Sequence, residues 1–158
     1  MEERNMENFD ICIVGASIAG NYLAYLLSKS DMKILVLEEH KDIGLPFQCA
    51  GIISQKLAQL IQLPEEIVLN RVNTAKLVNP LGNFIKLSGK EHPYIVDRIA
   101  LDRLFYEKNK NATNITYYLD ERLRSFKYGI ENGQKCVLIE TSKRFINIKD
   151  FPMSSMVP

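Results

Sequence analysis

Apolar residues recur along this chain with two distinct periods. Ile11, Cys12, Ile13 and Val14 form one unbroken apolar run, and Ile34, Leu35, Val36 and Leu37 form another. Short runs without polar alternation mark parallel strands buried on both faces. Between them Ala19, Tyr22, Leu23, Leu26 and Leu27 fall at helical spacing, and Ser28-Lys29-Ser30-Asp31 breaks the helix before the second run begins. The pattern over 9–39 therefore predicts strand, tight turn, helix and strand in one unit, with Glu38 ending the second strand.

Further along, Leu57, Leu60, Ile61 and Leu63 mark a short amphipathic helix that Ser54 can cap and Pro64 closes. Thr74–Val78 and Phe84–Leu87 flank Asn79-Pro80-Leu81-Gly82-Asn83, which carries turn chemistry, and the alternation predicts a hairpin with one solvated face. Asp97 is placed to cap a helix whose apolar face is Ile99, Leu101, Leu104 and Phe105. Asn114–Tyr118 reads as a third parallel strand. Phe126–Ile130 and Cys136–Thr141 pair around Glu131-Asn132-Gly133-Gln134 as a second hairpin.

The turn between the first strand and helix carries the candidate chemistry. Gly15-Ala16-Ser17-Ile18-Ala19-Gly20 follows the spacing G-x-G-x-x-G with Ser17 at the middle glycine position. A helix N-terminus presents unpaired N–H groups and the positive end of the dipole, so it can bind a pyrophosphate without a cationic side chain. Gly15 permits the sharp turn, and Gly20 lets the helix approach the strand. Ser17 narrows the approach, although its hydroxyl could donate to a phosphate. Glu38 puts a carboxylate at the carboxyl end of the second strand, within reach of an adenosine ribose. An acid there disfavours a 2′-phosphate, so the site suits FAD or NAD better than NADP.

Composition narrows the function classes. The 158 residues are 46% hydrophobic and 25% charged with a formal net charge of +1, and no basic stripe points to nucleic acid. No apolar run reaches the roughly 20 residues that span a bilayer. The polar segment 1–8 reads as neither a signal peptide nor a basic targeting segment, which predicts a cytoplasmic protein with any membrane contact peripheral. The three cysteines lack metal-ligand spacing; Cys12 and Cys136 lie in apolar runs, whereas Cys49 lies in the loop 40–54.

That loop carries a resemblance. Ile43-Gly44-Leu45-Pro46-Phe47-Gln48-Cys49-Ala50-Gly51-Ile52-Ile53-Ser54, together with the glycine turn and Leu35-Val36-Leu37-Glu38-Glu39, resembles the geranylgeranyl reductase family of FAD-dependent oxidoreductases, which are related to aromatic-hydroxylase-like flavoproteins. The resemblance implies reduction of isoprenoid C=C bonds in lipids, with FAD as cofactor and NAD(P)H or ferredoxin as possible electron donor. It implies FAD contacts at Gly15, Ala16, Ser17, Ala19 and Gly20, at Glu38 and Glu39, at Cys49, Ala50, Gly51 and Ile52, and at Arg98 and Arg122. No catalytic residue and no metal are implied. An FAD-dependent monooxygenase and a non-catalytic dinucleotide-binding module are the alternatives.

The expected fold class is α/β, a Rossmann-like FAD-binding domain whose parallel sheet is ordered 3-2-1 beside a small antiparallel sheet. Three regions are expected: a disordered N-terminus over 1–8, an incomplete FAD/NAD(P)-binding domain over 9–143 and an irregular tail over 144–158. Strand alternation over 144–149 is compatible with this division. The resemblance ends near Thr141, which suggests a truncated or interrupted reading frame and a chain inactive by itself.

Overall fold

The computed structural model describes residues 6–131 and 133–149. Its elements are β1 (Glu7–Phe9), β2 (Ile11–Val14), α1 (Ile18–Leu27), β3 (Ile34–Leu37), β4 (Ile52–Ile53), α2 (Gln55–Leu60), a 3-10 turn at Glu65–Ile67 and β5 (Val68–Arg71). They continue with β6 (Thr74–Val78), β7 (Phe84–Ser88), β8 (Tyr94–Val96), α3 (Arg98–Asn109), β9 (Ile115–Tyr118), β10 (Leu123–Glu131), β11 (Gln134–Thr141) and β12 (Phe145–Lys149). Two units divide them, one formed by the residues up to Pro46 and from Asp102 onward, the other by Phe47–Leu101. The single domain expected over 9–143 is thus split.

In the first unit, β3 is the middle strand of a parallel sheet ordered β2-β3-β9, with Ile11 opposite Ile34 and Ile34 opposite Ile115. This is the expected 3-2-1 order, and it explains the apolar run. All four residues of β3 are 1% exposed or less, because alternate side chains point into two separate cores. Leu35 and Leu37 pack with Phe9, Ile139, Ile146 and Ile148 on one side. Ile34 and Val36 pack with Ile13, Ala16, Ala24 and Ile43 on the other. The result is three layers: α1 with the later turns of α3, the parallel sheet, and a mainly antiparallel sheet ordered β1-β12-β11-β10.

Three expectations change in this unit. The face of α1 toward the sheet carries the buried Asn21 and Ala24, whereas Leu23 and Leu26 are exposed. Close approach requires small side chains, and a Cβ on Gly20 would lie 2.0 Å from the Gly15 carbonyl oxygen and 3.2 Å from Ile13 Cγ2. The boundary expected at 143 is also displaced. Phe145–Lys149 forms β12, between β1 and β11, with Ile146 and Ile148 in the core. At the other end, Glu7–Phe9 pairs in parallel with β12, so residues 7 and 8 belong to the sheet and not to a disordered segment. Residues 1–5 and 150–158 lie outside the described residues.

The second unit holds the antiparallel sheet β4-β8-β5, α2 and the β6-β7 hairpin. Ser54 caps α2 as expected, its Oγ accepting from the Leu57 N–H at 3.1 Å. In the hairpin turn, Asn79 Oδ1 accepts from the N–H groups of Leu81 and Asn83 at 3.0 and 2.9 Å. Every residue of β6 and β7 is exposed, so both faces of the hairpin are solvated and not one.

Candidate functional site

The glycine turn leaves the carboxyl end of β2 and opens α1. Gly15 has φ +101, and a Cβ there would touch nothing, so its requirement is conformational alone. Its N–H donates to the Leu37 carbonyl at 2.7 Å, which ties the turn to the end of β3. One residue on, the Ala16 N–H donates to Glu38 Oε2 at 2.8 Å. Glu38 Oε1 also takes the His40 N–H at 3.0 Å and lies 2.6 Å from His40 Nδ1. Burial pushes the Glu38 carboxyl up, but the N–H groups of Ala16 and His40 and the His40 ring outweigh it, and the net displacement is downward. A charged carboxylate therefore holds the near edge of the turn.

The other edge is held by a residue that the sequence pattern did not single out. Ser17 stands at the N-cap of α1 in an extended conformation, yet its side chain makes no cap hydrogen bond to the helix. Its hydroxyl donates to Asp102 Oδ1 at 2.8 Å, and the Ile18 N–H donates to the same oxygen at 2.6 Å. The expectation that Ser17 donates to a phosphate thus meets a competing acceptor. Asn21 Nδ2 bridges the carbonyls of Ala16 and Asp102 at 2.6 and 2.9 Å. Asn109 Nδ2 donates to the Asn21 carbonyl at 2.9 Å, and the Tyr117 hydroxyl donates to Asn21 Oδ1 at 2.8 Å. The available signal was an asparagine inside an apolar helix face and an aspartate flanked by Leu101 and Phe105 on the buried face of α3.

Glu39 and Arg122 come together at the surface, Nε to Oε2 at 3.4 Å. Both backbone groups of Arg122 are engaged by Ser142: its N–H donates to Ser142 Oγ at 3.1 Å and its carbonyl accepts from the Ser142 N–H at 2.8 Å.

The remaining candidates lie in the second unit. Cys49 and Ala50 are exposed loop residues, and Ile52 is an exposed residue of β4. Gly51 is required on two grounds: φ is +70, and a Cβ would fall 2.4 Å from the Val96 carbonyl oxygen. The Val96 N–H donates to the Gly51 carbonyl at 2.9 Å, which pins the loop to β8. Arg98 opens α3 directly after Asp97, whose Oδ1 accepts from the Ala100 N–H at 3.0 Å. The Gly51 Cβ position is 3.7 Å from Arg98 Cβ, so these two candidates are neighbours. Among the described residues, no group of three or more His, Cys, Asp or Glu is placed to hold a metal.

Residues 13–50 match the NAD(P)-binding Rossmann-like domain family. The chain is 32% identical over 111 residues to digeranylgeranylglycerophospholipid reductase 1 of Methanococcoides burtonii, covering 67% of this chain and 27% of that protein. It is 26% identical over 141 residues to digeranylgeranylglycerophospholipid reductase of Methanocella arvoryzae, covering 86% of this chain and 35% of that one. Among solved structures, a geranylgeranyl bacteriochlorophyll reductase-like protein from Thermoplasma acidophilum has a TM-score of 0.68 at 21% identity, over 92% of this chain and 38% of its own. PqsL, a probable FAD-dependent monooxygenase of Pseudomonas aeruginosa, has a TM-score of 0.62 at 15% identity, over 90% of this chain and 40% of its own. These findings bear out the family resemblance and the fold. The chain spans between about a quarter and a third of the curated relatives it matches.

Proposed function

We propose, from this similarity to about a quarter to a third of the length of digeranylgeranylglycerophospholipid reductases, that the chain is the FAD-binding part of an oxidoreductase that reduces isoprenoid C=C bonds of lipids. The observation that carries the reading is the coupling of the glycine turn to a partly buried carboxylate at the end of β3, through the Ala16 N–H and Glu38 Oε2 at 2.8 Å. The residues fit an adenine dinucleotide. Of the N–H groups that open α1, Ile18's is directed to Asp102 and Asn21's to the Ser17 carbonyl, and those of Ala19 and Gly20 supply a phosphate site. Glu38 has about four acceptor positions; Ala16 and His40 use three of them, and the last serves a ribose hydroxyl. Its negative charge repels a 2′-phosphate, which favours FAD over NADP.

When bound, FAD supplies the hydride chemistry, and the protein supplies orientation and electrostatics. Further FAD contacts are assigned, as the family resemblance implies them, to Gly51 and Arg98 and to Cys49, Ala50 and Ile52. The resemblance gives Arg122 an adenine-side contact through its backbone, and that backbone's N–H and carbonyl each carry a hydrogen bond with Ser142. The substrate is an isoprenoid lipid, the electron donor NAD(P)H or ferredoxin, and any membrane contact peripheral; no helix among the described residues is long and apolar enough to cross a membrane. The fold neighbour PqsL keeps an FAD-dependent monooxygenase as the second reading.

Titration with FAD, followed by flavin absorbance and fluorescence, tests the cofactor. The expected result is saturable binding that Glu38→Ala and Arg98→Ala each weaken about tenfold, the effect of losing one charged hydrogen-bonding partner. A chain that binds NAD and ignores FAD would overturn it.

A further inference from the structure

The Ser17–Asp102 pair lies where the usual fingerprint has a bare glycine, and its geometry is unlike an ordinary helix cap. An N-cap serine normally accepts an N–H from the second or third helical residue. Ser17 instead uses its hydroxyl proton on Asp102 Oδ1, and Asp102, 85 positions later in the chain, accepts the Ile18 N–H in its place. Asp102 is buried, 5% exposed as a residue. Asn21, fully buried, clamps the same two segments a second time by bridging the Ala16 and Asp102 carbonyls. Three hydrogen bonds thus join the turn and α1 to Asp102 of α3, from Ser17, Ile18 and Asn21, and a fourth, from Asn21 to the Ala16 carbonyl, braces the turn itself.

We propose that Asp102 is a positioning residue for the dinucleotide pyrophosphate, acting through Ser17 and Ile18 as a helix cap supplied from a distant part of the chain. This inference rests on the dinucleotide-binding reading above and concerns the pyrophosphate, which FAD, NAD and ADP share. Two consequences follow from the chemistry of the pair. A serine hydroxyl has one proton, and while Asp102 holds it Ser17 offers a phosphate only lone pairs, so Ser17 fixes the turn without ligating the anion. The carboxylate also sits at the positive end of the α1 dipole, where it partly neutralises the field that attracts a phosphate. Geometry and charge therefore act in opposite directions at this residue, and substitution can separate them. Asn in place of Asp retains an oxygen that accepts from both Ser17 and Ile18 and removes the charge; Ala removes both.

The test is titration of the native chain, Asp102→Asn, Asp102→Ala, Ser17→Ala and the Ser17→Ala/Asp102→Ala double variant with FAD, NAD and ADP, with thermal melting and ³¹P NMR of the bound pyrophosphate in parallel. Asp102→Ala is expected to weaken every ligand that the native chain binds by at least about tenfold, the scale of losing hydrogen bonds to a charged group. Asp102→Asn is expected to bind as tightly as the native chain or more tightly, with the pyrophosphate resonances displaced by the lost charge. The double variant should lose no more than Asp102→Ala alone, because both side chains act through one contact. A stability role alone would lower the melting temperature while leaving affinity and ³¹P shifts of the folded protein unchanged, and that result overturns the proposal. So does equal weakening by Asn and Ala. Binding of NAD or ADP without FAD would sink the cofactor reading and leave this one standing, whereas a native chain that binds none of the three removes both.

Discussion

Glu38 carries a single charge into three roles: it ends β3, ties the glycine turn through Ala16, and gathers the His40 N–H and ring. Its folded-state carboxyl lies below the usual value of 4.5. The unfolded chain therefore takes up a proton first on acidification, so the contribution of Glu38 to stability is complete above about pH 4.5 and disappears as pH falls through the folded value. Glu38→Gln should melt lower than the native chain at pH 7, with the difference closing toward pH 3 in a series of melts; a constant gap across that range would contradict the tie. The two glycines of the turn separate by mechanism. Gly20→Ala drives a Cβ to 2.0 Å from the Gly15 oxygen, a backbone clash expected to cost about 1–3 kcal/mol. Gly15→Ala meets no atom within 4 Å and is expected to cost about 1–2 kcal/mol from its positive φ alone. Denaturant titrations of the two variants check both figures. The sequence made Gly15, Gly20 and Glu38 legible because their spacing is local. Asp102 was not legible, since its partners Ser17 and Ile18 are more than 80 positions away and only tertiary packing brings them together.

At the level of elements, β3 announced itself because burial on both faces leaves no room for polar residues, whereas β12 showed only as an alternating stretch outside the expected domain. Asn147 is buried within β12, its Nδ2 donating to Asn8 Oδ1 at 3.0 Å, while Phe145 is partly exposed. Asn147 between Ile146 and Ile148 keeps the alternation of a strand with one solvated face, so the pattern does not show that this residue is buried with a partner in the sheet. The leucines of α1 misled in a similar way: helical spacing identifies the helix but not the face that meets the sheet, and the small residues Gly20 and Ala24 decide it. The corrected boundary has a testable consequence. Deleting residues from 144 onward removes Ile146 and Ile148 from the core shared with Leu35, Leu37 and Ile139. Each lost side chain costs about 2–5 kcal/mol, a sum comparable with the whole stability of a domain. The shortened chain should lose its cooperative melt and bind a hydrophobic dye, whereas deletion from 150 onward should leave the transition in place. Equal behaviour of the two truncations would restore the earlier boundary.

For the whole molecule, binding a dinucleotide and reducing a lipid are separable demands. The glycine turn, Glu38 and Asp102 all belong to the first unit, and in the proposed function they address the adenosine and pyrophosphate. Hydride transfer asks for more: the isoalloxazine and the double bond must be held about 3–3.5 Å apart in good alignment, with water excluded. Among the described residues, the second unit offers a hairpin exposed along both strands and the buried side chains of Ile53, Ala58, Ile61, Val96 and Leu101. Neither surrounds a prenyl chain. The matched segment is 27% and 35% of the length of two curated relatives, and the remaining length is where we propose substrate enclosure resides. The 158-residue chain is therefore expected to bind FAD without reducing isoprenoid double bonds, and any flavin it holds should be solvent-exposed and reoxidised rapidly by oxygen. Incubation with FAD, dithionite and a geranylgeranyl lipid under anaerobic conditions, followed by mass spectrometry of the lipid, decides the matter. A gain of two hydrogens per reduced bond, absent from a control with free FAD, would show that these residues suffice to align donor and acceptor.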